Sequence, residues 1–218
     1  MMHALTDDHL LVNGTCAPEF AAVKDAFADN FRRRGEIGAA VCVYKDGEVV
    51  VDLWGGHKDL ARTEPWQKDT IVIMNSLAKS MCALCMHILI DRGLVEFDAP
   101  VADYWPEFAQ AGKKSVLIRH ILSHTCGVIY CDRATPGSWF RWEEHIKAIE
   151  LQEPAWEPGT YGAYNSINIG YLLGEVIRRV TGDTVGGFLR KEIGRKLGAD
   201  YNIGLRADEI ARVSDMHE

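Results

Sequence analysis

No run of eighteen apolar residues occurs in the sequence, so no segment reads as a membrane-spanning helix. Positive charge is in short supply. Against 31 Asp and Glu stand 24 Lys and Arg, a formal net charge of -7, which argues against nucleic acid or an anionic membrane surface as partner. The only basic run, Arg32-Arg33-Arg34, closes a helix expected over residues 18–34, where cations complement the helix dipole. G-x-S-x-G, G-x-G-x-x-G and a P-loop are all missing, which removes the usual signatures of an α/β-hydrolase elbow and of nucleotide binding. Met1-Met2-His3-Ala4-Leu5-Thr6-Asp7-Asp8 offers neither the basic nor the apolar stretch of an export signal, and the expected compartment is the cytoplasm. There is no internal repeat and no low-complexity linker.

What is present is an ordinary globular composition. The 218 residues are 47% hydrophobic and 25% charged, enough to bury a core in one large or two small domains. Six cysteines could form three bridges, but a reducing compartment favours free thiols. Cys82-Ala83-Leu84-Cys85 has the spacing of a redox or zinc pair, yet it falls inside an apolar helix with no second pair, so small core residues are the better reading. His120 and His124 stand four apart on a helix expected over 115–125. With no Glu in an H-E-x-x-H pattern and no third ligand, a structural role outweighs a metal, and no metal or organic cofactor is expected.

Along the chain, the helix over 18–34 is followed by strand-like runs over 37–44 and 48–54 that flank Lys45-Asp46-Gly47, a hairpin turn. Further helices are expected over 142–151, over 167–180 with Gly182 just beyond, and over 185–197. A short antiparallel β unit followed by a mostly helical body is an α+β pattern. Two domains are expected, residues 1–75 and residues 76–218, divided at the start of the helix described next.

Asn75-Ser76-Leu77-Ala78-Lys79 contains the only Ser-x-x-Lys. It sits where a β-branched run, Asp69-Thr70-Ile71-Val72-Ile73-Met74, meets a stretch apolar nearly all round from Met81 to Ile90, stopped by Asp91-Arg92-Gly93. Ser76 is therefore placed at the N-terminus of a buried helix, where free N–H groups and the dipole favour an oxyanion. Lys79, three residues on, shares its face and can return its ammonium over the hydroxyl. A serine nucleophile with a lysine partner fits this geometry, although Ser is also a preferred helix cap.

The motif does not stand alone. Asp52-Leu53-Trp54-Gly55-Gly56, Trp66-Gln67-Lys68-Asp69-Thr70, Asp98-Ala99-Pro100-Val101, Tyr104-Trp105-Pro106-Glu107-Phe108, Ser123-His124-Thr125-Cys126-Gly127, Pro158-Gly159-Thr160 and Gly170-Tyr171-Leu172-Leu173-Gly174-Glu175 follow in an order that resembles the serine β-lactamase and penicillin-binding-protein superfamily. Within it, the chain is similar to the class C-like family VIII carboxylesterases. The resemblance implies a β-lactamase/transpeptidase-like fold, an antiparallel sheet flanked by helices plus a helical domain. It implies a second site element in Tyr164-Asn165-Ser166, with Tyr164 as a proton carrier beside Ser76 and Lys79, and Ser166 where an Asn often stands. Ser123-His124 matches a structural helix end of the family rather than a nucleophile and base.

The family's third element, a Lys-Thr-Gly or related triplet on a sheet-edge strand, has no match after Tyr171. The expected partner is accordingly a complementing C-terminal segment or chain that finishes the sheet, besides a small ester substrate. The activity implied is a serine hydrolase working through an acyl-enzyme, a carboxylesterase on small esters. A β-lactamase or D-alanyl peptidase, an acyltransferase and a non-catalytic binding relative remain alternatives.

Overall fold

A computed structural model describes residues 12–216. The chain divides into two compact units, one formed by the chain up to Ile73 together with the stretch from Arg206 onward, the other by Met74–Leu205.

In the first unit, β2 (Gly38–Lys45) and β3 (Glu48–Gly56) form the expected hairpin. Asp46 and Gly47 both take positive φ, 53° and 85°, the two-residue turn whose twist matches that of the flanking strands. A third strand, β1 (Val12–Cys16), pairs antiparallel with β3 and places β3 in the centre, order β1-β3-β2. Its Asn13 and Gly14 are poor strand formers, so local pattern does not announce it. Gly14 is needed there because a Cβ would come within 1.9 Å of the Asp52 carbonyl oxygen. A 3₁₀ turn at Pro18–Phe20 leads into α1 (Ala21–Arg33), whose Phe27 and Phe31, one turn apart, meet edge to face at 5.2 Å and cover Val51 and Leu53 of β3. The β-branched run before Ser76 is not a strand. Among the described residues only Ile71 pairs, its N–H donating to Arg212 O at 2.9 Å and its carbonyl accepting from Ser214 N at 2.8 Å.

The second unit is helical. The long α2 (Leu77–Asp91) packs on α5 (Asn168–Thr181), and α3 (Ile118–Leu122), α4 (Trp142–Leu151) and α6 (Val185–Leu189) complete the body. Residues 185–197 form one run of helix with a π turn, Arg190–Gly194, between α6 and α7 (Arg195–Leu197). The His120 helix is only five residues long, because Ser115 and Val116 are used instead in the chain reversal that pairs Leu117 with Pro100. Met86, Leu89, Trp105, Phe108, Ile121 and Leu172 lie at the centre of the core. Each such side chain contributes about 1.5–3 kcal/mol relative to exposure.

Buried polar groups in this body are matched. Glu175, fully buried, accepts from Trp142 Nε1 at 2.9 Å, Arg178 at 2.8 Å and Arg179 at 2.7 Å. Lys113, also buried, donates to the carbonyls of Gln110, Glu150 and Gln152 and thereby closes the C-terminus of α4. Contrary to the all-round apolar reading, α2 buries one side through Cys82, Cys85, Met86 and Leu89, while Leu77 and Leu84 remain 41% and 42% exposed. Among the described residues, no helix is long and apolar enough to cross a membrane.

Candidate active site

Ser76 stands at the entrance of α2 directly after Asn75, whose φ of 43° is a left-handed conformation that turns the chain sharply into the helix. The Ser76 side chain makes no capping bond and its backbone is already helical, so the hydroxyl is free of the usual structural task of a helix-start serine. The first-turn amides are not open in the manner expected of a helix N-terminus. Leu77, Ala78 and Lys79 N–H donate to the carbonyls of Met74, Asn75 and Ser76 at 3.1, 3.2 and 3.1 Å.

One turn along, Lys79 Nζ donates to Ser76 Oγ at 3.0 Å. Tyr164 comes from a different part of the unit, the irregular segment before α5, and its ring lies under the same ammonium, 5.0 Å from Nζ to centroid. The phenol thereby faces the Ser76 hydroxyl and the Lys79 ammonium. Ser76 above all, then Lys79 and its charge, hold the Tyr164 pKa below that of an ordinary phenol. Serine, lysine and tyrosine, 88 residues apart at the extremes, are thus gathered into one cluster, with Ser76 and Lys79 hydrogen-bonded and the Tyr164 ring beneath the ammonium.

The segment carrying Tyr164 is held from below by asparagines. Asn165, almost wholly buried, donates through Nδ2 to Val128 O at 2.8 Å and accepts from Ile169 N at 3.0 Å through Oδ1. Asn168 donates to Tyr130 O at 3.0 Å, and its Oδ1 meets His145 Nε2 at 3.1 Å. Both asparagines point inward as structural pins, leaving Ser166 exposed beside the tyrosine. Ser166, Ile167 and Asn168 then line a cavity of about 670 Å³ whose other walls include Ile129, Trp139 and Phe140.

His124 is the residue the sequence reading undervalued. It takes φ +60°, and its ring stacks on that of Tyr164 at 5.2 Å with 26° between planes. Ser123 has no part in this: its hydroxyl donates to Arg119 O at 2.8 Å. The signal available in sequence was the His of Ser-His-Thr-Cys-Gly, a residue type tolerant of left-handed backbone placed next to a turn. His120 and His124 do not converge, since His120 Nδ1 accepts from Leu117 N at 3.2 Å and His124 Nδ1 from Asn165 N at 2.9 Å. Cys82 and Cys85 are core thiols, and burial pushes them up to about 11 and about 12. Among the described residues, no three His, Cys, Asp or Glu side chains gather as a metal site.

An α+β chain with a Ser-Lys-Tyr cluster rooted at a helix start is of the serine-lysine-tyrosine kind. It belongs to the beta-lactamase family, whose profile matches residues 23–218. The fold is β-lactamase/transpeptidase-like, as the sequence resemblance implied, with mixed helices and a small antiparallel sheet. Esterase/beta-lactamase LipL of Mycobacterium tuberculosis is 36% identical over 210 residues, covering 94% of this chain and 48% of that protein. A crystal structure of a family VIII carboxylesterase superposes with a TM-score of 0.89 at 42% identity, covering 94% of this chain and 57% of its own. A penicillin-binding protein homologue from Caulobacter crescentus has the same TM-score at 40% identity, with 95% and 56% covered. The chain spans about half the length of the curated relatives it matches.

Proposed function

We propose that the protein is a serine hydrolase that works through a covalent acyl-enzyme and that its substrates are small carboxylic esters. The observation carrying this reading is the contact of Ser76 Oγ with Lys79 Nζ at 3.0 Å, joined by the Tyr164 phenol. In the reaction, Tyr164 as phenolate takes the Ser76 proton while Oγ bonds to the acyl carbon, and the neighbouring ammonium of Lys79 favours that phenolate. The carbonyl oxygen becomes an oxyanion. With the next three amides already bonded, the N–H of Ser76 itself is the donor this helix start offers to it. Collapse breaks the bond to the alcohol, which leaves with the proton from Tyr164. Water, deprotonated by the same phenolate, then attacks the acyl carbon and frees Ser76.

Two features favour esters over β-lactams. Ser166 offers a short hydroxyl where the family's amide side chain would bind the amide of a β-lactam substituent, and the nearby Asn165 and Asn168 are turned into the core. The adjoining cavity, with Trp139, Phe140 and Ile167 in its walls, suits an apolar acyl or alcohol group. The names of relatives, esterase and beta-lactamase together in one of them, support the class and leave the substrate to experiment.

The active protein further comprises, in this reading, a complementing segment or chain that adds strands to the sheet and supplies the second oxyanion donor. The half-length coverage of relatives and the three-stranded sheet support it, since β2 pairs along only one edge among the described residues. A fluorophosphonate probe followed by peptide mass spectrometry tests the core of the proposal. Modification at Ser76 is the expected outcome, and modification elsewhere or nowhere in the complete polypeptide would refute it.

A further inference from the structure

We propose that His124 is the positioning residue of this site, clamping the loop that bears Tyr164 and fixing where its phenol lies; the inference rests on the Ser76-Lys79-Tyr164 reading above. Three contacts come from this one residue. Its carbonyl accepts from Ala163 N–H at 3.2 Å and its Nδ1 accepts from Asn165 N–H at 2.9 Å, so the residues on both sides of Tyr164 are held by the same residue. Its ring also covers the tyrosine ring at 5.2 Å. Tyr164 needs such support because it is 60% exposed and has little packing of its own to choose a rotamer.

The backbone of His124 explains how one residue reaches all three. At φ +60° it sends carbonyl and side chain toward the same loop, a conformation that most side chains resist and that clusters at functional positions. Because Nδ1 accepts from Asn165, the ring proton of the neutral form sits on Nε2. Burial first, then the charge of Lys79 on α2, hold the His124 pKa below its usual value and keep this acceptor in place. The facing titratable groups are thus Lys79 from α2 and Tyr164 from the loop itself.

The test measures acylation of the complete polypeptide by p-nitrophenyl acetate, with melting temperature in parallel. His124→Phe keeps a ring but has no acceptor, and His124→Gly accepts φ +60° without strain but has neither ring nor acceptor. Both should acylate roughly 10- to 100-fold more slowly with KM within about threefold. His124→Asn, which tolerates the left-handed backbone and offers Oδ1 to the Asn165 N–H, should recover to within about tenfold of wild type. In a Tyr164→Phe background, adding His124→Gly should cost less than about twofold further, because the residue acts through the tyrosine. Wild-type rates in both His124→Phe and His124→Gly overturn the inference, as does full multiplication of the two losses in the double variant or an Asn variant no better than Gly. Full-rate acylation in Tyr164→Phe alone removes the parent reading and the inference with it, which separates that failure from one confined to His124.

Discussion

Lys79 Nζ and Ser76 Oγ meet at 3.0 Å across a single turn of α2, and the serine hydroxyl has no other structural employment, since it does not cap the helix. Ser76→Ala should therefore abolish fluorophosphonate labelling and ester turnover while changing stability by less than about 0.5 kcal/mol. Residual turnover at the wild-type rate in the purified variant would sink the mechanism.

The Tyr164 pKa lies below the ordinary phenol value, held there first by Ser76 and then by Lys79. In the proposed reaction only the deprotonated phenol accepts the serine proton, so the acylation rate should rise with pH through that pKa, reach a plateau above it, and fall as pH is lowered. Removing the ammonium in Lys79→Met should move this limb to higher pH, and Tyr164→Phe should erase it. Burst-phase pH profiles of the three proteins decide the matter, and a limb that survives in Tyr164→Phe assigns the proton to another group.

Stability should depend on acid through Glu175. Burial pushes its carboxyl pKa up, but hydrogen bonds from Arg178, Arg179 and Trp142, with the charge of Arg178, more than offset this and leave it below the usual value. A depressed carboxylate stabilises the fold above its unfolded pKa, and that stability disappears as pH falls through the folded value. Glu175→Gln should cost about 1–3 kcal/mol near neutrality, since Arg178 and Arg179 lose their buried acceptor but keep Glu143 and Glu107, and urea titrations at pH 7 and pH 4 should show the wild type losing more than the variant. Equal losses in the two proteins would contradict this.

Substrate preference should follow the cavity beside Ser166. p-Nitrophenyl acetate and butyrate are expected to be turned over with higher kcat/KM than a cephalosporin, and Trp139→Ala should shift preference toward longer acyl chains by roughly tenfold, the scale set by one or two methylenes in an apolar pocket. A cephalosporin preference would reverse the ester assignment.

Residues 1 to 218 expressed alone should melt weakly or self-associate, and gain activity when the complementing segment is supplied in cis or in trans. A three-stranded sheet whose β2 edge pairs with nothing further among the described residues is a template for further pairing. Sedimentation, thermal melts and ester turnover on both forms provide the readout. A stable, fully active monomer of this chain alone would remove the complement from the proposal.

The sequence by itself determined the elements whose information is local. The Asp46-Gly47 hairpin needs only two adjacent residues that accept positive φ, α5 announces itself by an apolar helical run and the glycine stop at Gly182, and Ser76 with Lys79 is a three-residue spacing that any helix converts into a contact. Tertiary structure decided what depends on distant partners. Strand β1 exists because β3 supplies hydrogen bonds to a segment with poor strand propensity, and the β-branched run before Ser76 fails to become a strand because, among the described residues, only Ile71 finds a partner. Tyr164 could be selected in sequence only through family resemblance, for nothing local distinguishes it from the chain's other tyrosines. Its meeting with Ser76, and the clamp that His124 places on both sides of it, arise from chain segments 39 or more residues apart whose approach is set by packing of the helical core.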